Sequence, residues 1–116
     1  MEIIVEPIKP AIGAVVHCTK ETFLSEGFAQ TVLDLLDKHT ALVFPRLGLS
    51  DAEQLAFTDS LGDRVNFTNT VPGGDEAMQD VYTITLDPEI NNEPEYVVGS
   101  MFWHADGICS DIPPPK

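Results

Sequence analysis

Positive charge is scarce in this sequence: 6 of its 116 residues are lysine or arginine, against 19 aspartates and glutamates, a formal net charge of −13. No stretch gathers cations into a patch able to neutralise phosphates, so nucleic acid and anionic membrane are poor partners. The acidity itself is most simply a device for solubility. Cysteine is scarcer still. Cys18 and Cys109 are the only two, without CxxC spacing, which argues against a disulfide framework and a thiolate zinc site and leaves two ordinary free thiols. Long apolar runs are also missing, since none approaches the roughly 18–20 consecutive residues that span a bilayer. The start, MEIIVEPIKP, carries Glu2, Glu6 and two prolines where a secretory leader needs a basic start and an unbroken apolar stretch. The expectation is a soluble cytoplasmic protein.

Apolar material sufficient for a core is present: 43% of the residues are hydrophobic, so the chain is expected to fold rather than remain disordered. Its length allows one domain at most, or part of a larger one. Ile3, Ile4 and Val5, then Ile8, then residues 12–16 read as one or two short strands, with Pro7 and Pro10 suited to an edge or a bend. From residue 21 to about 39, Phe28, Val32, Leu35 and Leu36 recur at helical spacing, with Gln30, Asp34, Asp37 and Lys38 between them, the mark of a helix with one buried stripe. The apolar run 41–44 before Pro45 has the length of a buried strand. Ser50 and Glu53 have capping-box spacing and open a second helix that ends at Gly62.

Residues 63–80 are rich in turn formers, including Asn66, Asn69, Pro72, Gly73 and Gly74, and read as a loop. Strands are expected over 81–86 and 96–104, separated by a turn-rich connection. Helices early and strands late suggest an α+β fold.

His104 and Asp106 are the chemical signal. On a strand, residues i and i+2 point to one face, so this imidazole and carboxylate can present a nitrogen and an oxygen to one metal ion. They make up two of the three ligands of the 2-His-1-carboxylate facial triad, which holds Fe(II) on one face and leaves the other open. By the same parity Ser100 and Phe102 face the metal as candidate substrate-binding residues, with core packing the plain alternative for Phe102. Trp103 has opposite parity and is expected in the core. Spacing alone makes His-x-Asp a weak signal, since such pairs are common as surface hydrogen bonds. Cys109 lies at a distance from Asp106 that fits no facial triad. His39 is expected to cap a helix end and His17 to be a surface or packing residue.

Taken in order, the stretch Ala41-Leu42-Val43-Phe44-Pro45-Arg46, the capped helix from Ser50 to Leu61-Gly62-Asp63, and Trp103-His104-Ala105-Asp106-Gly107 followed by Pro113-Pro114 resemble the taurine dioxygenase-like (TauD/TfdA) family of Fe(II)/2-oxoglutarate-dependent oxygenases. Ile12-Gly13-Ala14 is similar to the family's N-terminal Gly-Ala strand. The resemblance implies the N-terminal part of a double-stranded β-helix, or jelly roll, with two flanking helices, residues 1–116 forming one incomplete domain. It implies His104 as the first iron-ligating histidine, Asp106 as the carboxylate ligand, Fe(II) as cofactor and 2-oxoglutarate as co-substrate, consumed as a small organic substrate is oxidised.

The family's second iron-binding histidine and the arginine that anchors 2-oxoglutarate lie beyond the segment present, so the isolated chain is expected to be inactive. A missing C-terminal half, or association with further copies, would cover the apolar surface of a half-built jelly roll. Ser100 stands where taurine-specific members carry asparagine, and Phe67 near where they carry a pocket histidine, so taurine is not the expected substrate. Two other readings stay open: a short non-catalytic binding or relic protein of the same fold, and an unrelated acidic α+β interaction domain.

Overall fold

A computed structural model describes residues 2–64, 81, 83–91 and 93–107. Its elements are β1 (Ile4–Pro7), β2 (Ala14–His17), α1 (Lys20–Phe23), α2 (Phe28–His39), β3 (Leu42–Val43), α3 (Asp51–Leu61) and α4 (Pro94–Gly99). The arrangement is α+β, and it divides into two compact units, residues 1–65 and 66–116.

The first unit holds a three-stranded sheet in the order β1-β2-β3. β1 and β2 are antiparallel, with Ile4 opposite His17 and Pro7 opposite Ala14. Pro7 ends an edge strand, where its missing N–H leaves no ladder bond unmade. Gly13 closes the connection: its φ of 87° belongs to the left-handed region, its carbonyl accepts from the Ile8 N–H at 2.8 Å, and an added Cβ would lie 3.3 Å from Ile8 Cδ1. β2 alternates as a half-buried strand does, with Ala14 and Val16 fully buried. It pairs parallel with β3, Ala14 opposite Leu42 and Val15 opposite Val43. β3 is shorter and less buried than the run 41–44 suggested, because Val43 is about half exposed on an edge.

The helix expected from residue 21 is two helices. Thr19 caps α1 by accepting the Thr22 N–H at 3.1 Å. The chain then breaks at Gly27, whose φ of 82° no helix interior tolerates, and α2 starts at Phe28. The stripe on α2 is as read: Phe28 and Val32 are buried, and Leu36 packs against them. His39 joins the sheet through its backbone carbonyl, which accepts from Gly13 N–H at 2.7 Å and Ala41 N–H at 2.8 Å. His17 is a surface residue, its Nε2 3.0 Å from Glu6 Oε2.

Phe23 is the centre of the core. Its ring centroid lies 5.8 Å from that of Phe28, 5.0 Å from Phe44 and 4.1 Å from Phe57, so one side chain joins α1, α2, the end of β3 and α3. Cys18, Leu24, Leu42 and Leu49 pack around this group, and burial pushes the Cys18 thiol pKa up. α3 opens with the capping box: the Glu53 N–H donates to Ser50 Oγ at 3.2 Å and the Ser50 N–H to Glu53 Oε2 at 2.7 Å. Lys20 Nζ donates to both Glu53 oxygens, at 3.0 and 3.3 Å, and ties α1 to α3.

Large apolar side chains stay exposed in both units, among them Ile4, Ile8 and Ile12 in the first and Ile84, Leu86 and Met101 in the second. No helix among the described residues is long and apolar enough to cross a membrane.

Removing the central ring should be severe. Phe23→Ala deletes a buried aromatic touching three others and is expected to cost about 3–5 kcal/mol in denaturant unfolding; a loss below about 1 kcal/mol would remove Phe23 from the centre of the core. A second prediction concerns acid. The Ser50 N–H bond, and then Lys20, lower the Glu53 pKa, so its stabilising contribution is full above the unfolded carboxylate's value of roughly 4.3 and is lost as pH falls through the lower folded value. Glu53→Gln should therefore flatten the fall of Tm with pH in that acid range, and an unchanged slope would contradict the assignment.

Candidate functional site

The second unit turns on a buried amide. Asn91, 4% exposed, donates from Nδ2 to the Thr85 carbonyl at 3.1 Å and accepts on Oδ1 from the Glu93 N–H at 2.9 Å. Beside it, the Ile90 and Asn91 amides donate to the Asp87 carbonyl at 3.0 and 2.8 Å. These bonds lead into α4, where Pro94 stands at the first helical turn, its fixed φ preset and its missing N–H not needed. Val97 is the buried residue of the helix. At its end, Ser100 Oγ donates to the Val97 carbonyl at 2.6 Å, and successive turns follow, Met101 N–H to Val98 and Phe102 N–H to Gly99, both at 3.1 Å.

The strand expected over residues 96–104 is therefore a helix followed by turns. Tyr96, Val97 and Val98 favour strands by type, but Pro94 starts a helix and the Ser100–Val97 bond closes it. The parity that put Ser100, Phe102 and His104 on one face falls with the strand. The described residues of 81–86 form no strand either. Trp103, read as a core residue, is fully exposed, and Phe102, read as a substrate-binding residue with core packing as the alternative, is exposed too. Phe67 and Cys109 lie outside the described residues.

His104 and Asp106 nevertheless meet. His104 Nδ1 is 2.8 Å from the Phe102 carbonyl oxygen, and Nε2 is 3.2 Å from Asp106 Oδ1. A carbonyl only accepts, so Nδ1 carries the hydrogen and donates. In the neutral ring Nε2 then holds a bare lone pair, and the carboxylate oxygen opposite offers only lone pairs as well. Two such atoms approach favourably only with a cation between them, either a proton on Nε2 or a metal ion. Metal–ligand bonds of about 2.0–2.2 Å at right angles set neighbouring donors about 3 Å apart, close to the separation observed. The Phe102 carbonyl supplies the outer bond that commonly fixes a ligating imidazole in its metal-binding tautomer. The donor pair fits a divalent ion and is open to it, since the Asp106 side chain is 93% exposed and that of His104 about half. Gly107, with φ 69°, turns the chain just after the pair.

A cavity of about 520 Å³ adjoins the two donors. Ile84, Tyr96 and Val97 give it apolar wall, and Glu95 and Ser100 add polar groups beside His104 and Asp106. Ser100 thus reaches the site from the turn after α4, whereas Phe102 contributes its carbonyl and its ring is not among the described lining residues. Glu95, Tyr96 and Asn91 were missed in the sequence; the signal available for the first two was Glu93-Pro94, an acidic residue before proline that marks a helix start. Among the described residues, no group of three or more His, Cys, Asp and Glu gathers as a metal site.

The family model for taurine catabolism dioxygenases, the TauD, TfdA family, matches residues 4–116, and the chain belongs to that family. A solved structure, AAD-2 in complex with Mn(II) and N-oxalylglycine, is similar at 23% identity and a TM-score of 0.49 over 62% of this chain, which spans 29% of that chain's length. No match is found among curated proteins.

The exposure of Trp103, the single tryptophan, has a direct optical consequence. Its fluorescence should show the emission of a water-surrounded indole and near-complete quenching by acrylamide. Blue-shifted, protected emission would place it in a core after all.

Proposed function

We propose that this chain is part of an Fe(II)- and 2-oxoglutarate-dependent dioxygenase, with His104 and Asp106 as two of its three protein ligands to iron. The observation that carries this reading is the 3.2 Å approach of His104 Nε2 to Asp106 Oδ1 with Nδ1 held by the Phe102 carbonyl, within residues that the dioxygenase family model matches. When bound, iron and 2-oxoglutarate supply oxidation of a small organic substrate coupled to release of succinate and CO₂.

The chain's own residues hold and orient. The Phe102 carbonyl keeps the proton on Nδ1 and so leaves the Nε2 lone pair free for a metal. Asp106 places one oxygen beside it and contributes the negative charge that a divalent cation offsets. An imidazole-plus-carboxylate pair without thiolate suits Fe(II) better than a structural zinc. Ser100 sits in the adjoining cavity and bounds the substrate space. The third ligand and a cationic anchor for 2-oxoglutarate come, in this reading, from outside the described residues, in the remainder of one jelly-roll domain to which residues 1–116 contribute the leading part.

Mn(II) added to the chain tests the pair directly through paramagnetic broadening in NMR. Broadening centred on His104 and Asp106 is expected, with His104→Ala weakening it about tenfold or more. Broadening spread over the acidic surface and indifferent to His104→Ala would overturn the reading.

A further inference from the structure

We propose that Asn91 is a positioning residue for the cavity beside His104 and Asp106: its side-chain amide holds one wall of that cavity in place, although Asn91 is not itself among the described lining residues. The inference rests on reading the cavity as the substrate space of the metal pair.

The two sides of the cavity are anchored differently. Of the described lining residues Ile84 alone precedes α4, and the others belong to α4 and the turns after it. On the α4 side Val97 is 7% exposed, so burial fixes it. Ile84 is 72% exposed; packing so slight does not fix a side chain, and its place follows from its backbone. That backbone is clamped at the next residue. Thr85 accepts twice, on its carbonyl from Asn91 Nδ2 and on its hydroxyl from the Asp87 N–H, both at 3.1 Å. The hydroxyl bond stays within one turn. The amide bond spans six residues, and the same side chain accepts the N–H of Glu93, the residue that caps α4, at 2.9 Å. One buried amide therefore ties the Ile84 wall to the start of the α4 wall.

Burial makes this clamp hard to replace, because a lost partner leaves a polar group that water does not reach. The bonds from the Ile90 and Asn91 amides to the Asp87 carbonyl close the turn between but reach neither Thr85 nor Glu93. The far side of the site is set locally, by the Ser100 bond to the Val97 carbonyl and the Phe102 carbonyl on His104 Nδ1. Loss of Asn91 thus frees the Ile84 wall and leaves the metal pair as it stands.

1-Butanol, a small uncharged probe, titrated into the wild-type chain, Asn91→Ala and Asn91→Asp with amide NMR shifts as the readout, tests this. In the wild type the amides of Ile84 and of residues 95–97 should shift together and saturate. Asn91→Ala should weaken the probe about three- to tenfold, the worth of the lost hydrogen bond, with Ile84 no longer responding. Val97 shifts and Mn(II) affinity at His104 should stay within about twofold of wild type, as independent sites do. In Asn91→Asp at neutral pH two acceptor oxygens face each other at Thr85, and the response should match Asn91→Ala. Burial, with Asp87, Glu89 and Glu93 in the same stretch, raises the pKa of the new carboxyl. Protonated in mild acid it donates to Thr85, and the Ile84 response should return to that of the wild type at the same pH. A wild-type Ile84 indifferent to butanol, an unchanged response in Asn91→Ala, or no recovery of Asn91→Asp in acid overturns the proposal. So does a variant whose Val97 signals move as far as those of Ile84, since the amide then merely holds the unit folded. Absence of Mn(II) broadening at His104 in the wild type counts against the metal pair instead, while the butanol titrations still decide for or against Asn91.

Discussion

The first unit depends on one aromatic ring. Phe23 touches Phe28, Phe44 and Phe57, and through them a four-residue helix, a long helix, a strand end and a capped helix share one apolar contact. None of these elements buries enough by itself: β3 is two residues long, α1 barely one turn, and α3 has no fully buried side chain. Short elements of this kind persist because tertiary packing holds them, not because of local propensity. The Lys20–Glu53 pair adds a polar pin between the same two helices.

Hydrogen-bond direction organises the second unit. Asn91 satisfies a carbonyl and an amide at once and leads the chain into α4. Ser100 commits its hydrogen to α4, and the turns that follow bring the Phe102 carbonyl to His104 Nδ1. A neutral imidazole has one hydrogen to give. Once Nδ1 has given it, the facing of Nε2 and Asp106 Oδ1 calls for a cation, either a proton on Nε2 or a metal ion, and this constraint is what makes the pair a metal-site candidate.

Features set by near neighbours in the chain were legible in the sequence: the Ser50–Glu53 capping box, the Phe28–Val32–Leu36 stripe and the edge position of Pro7 all follow from spacing and covalent geometry. Gly27 as a helix break was not, because a single glycine inside a helical pattern carries no sign of its φ. Residues 96–104 misled because tyrosine and paired valines favour strands by type, whereas Pro94 before them and the Ser100 back-bond after them set a helix. Trp103 was assigned to the core by its parity on an expected strand, and that assignment falls with the strand: the ring is fully exposed among the described residues. His104 and Asp106 do lie together, but turns rather than the expected strand parity bring them there. Family membership was readable from the ordered set of motifs, each weak alone.

The central claim is that His104 presents a free Nε2 to a metal held jointly with Asp106. Long-range ¹H–¹⁵N NMR of the His104 ring, at a pH where it is neutral and then with anaerobic Fe(II) added, tests it most directly. The account predicts the hydrogen on Nδ1, and an Nε2 resonance that Fe(II) broadens or shifts in the wild-type chain and much less in Asp106→Asn. A hydrogen on Nε2 with a bare Nδ1, or a ring indifferent to Fe(II), would contradict it.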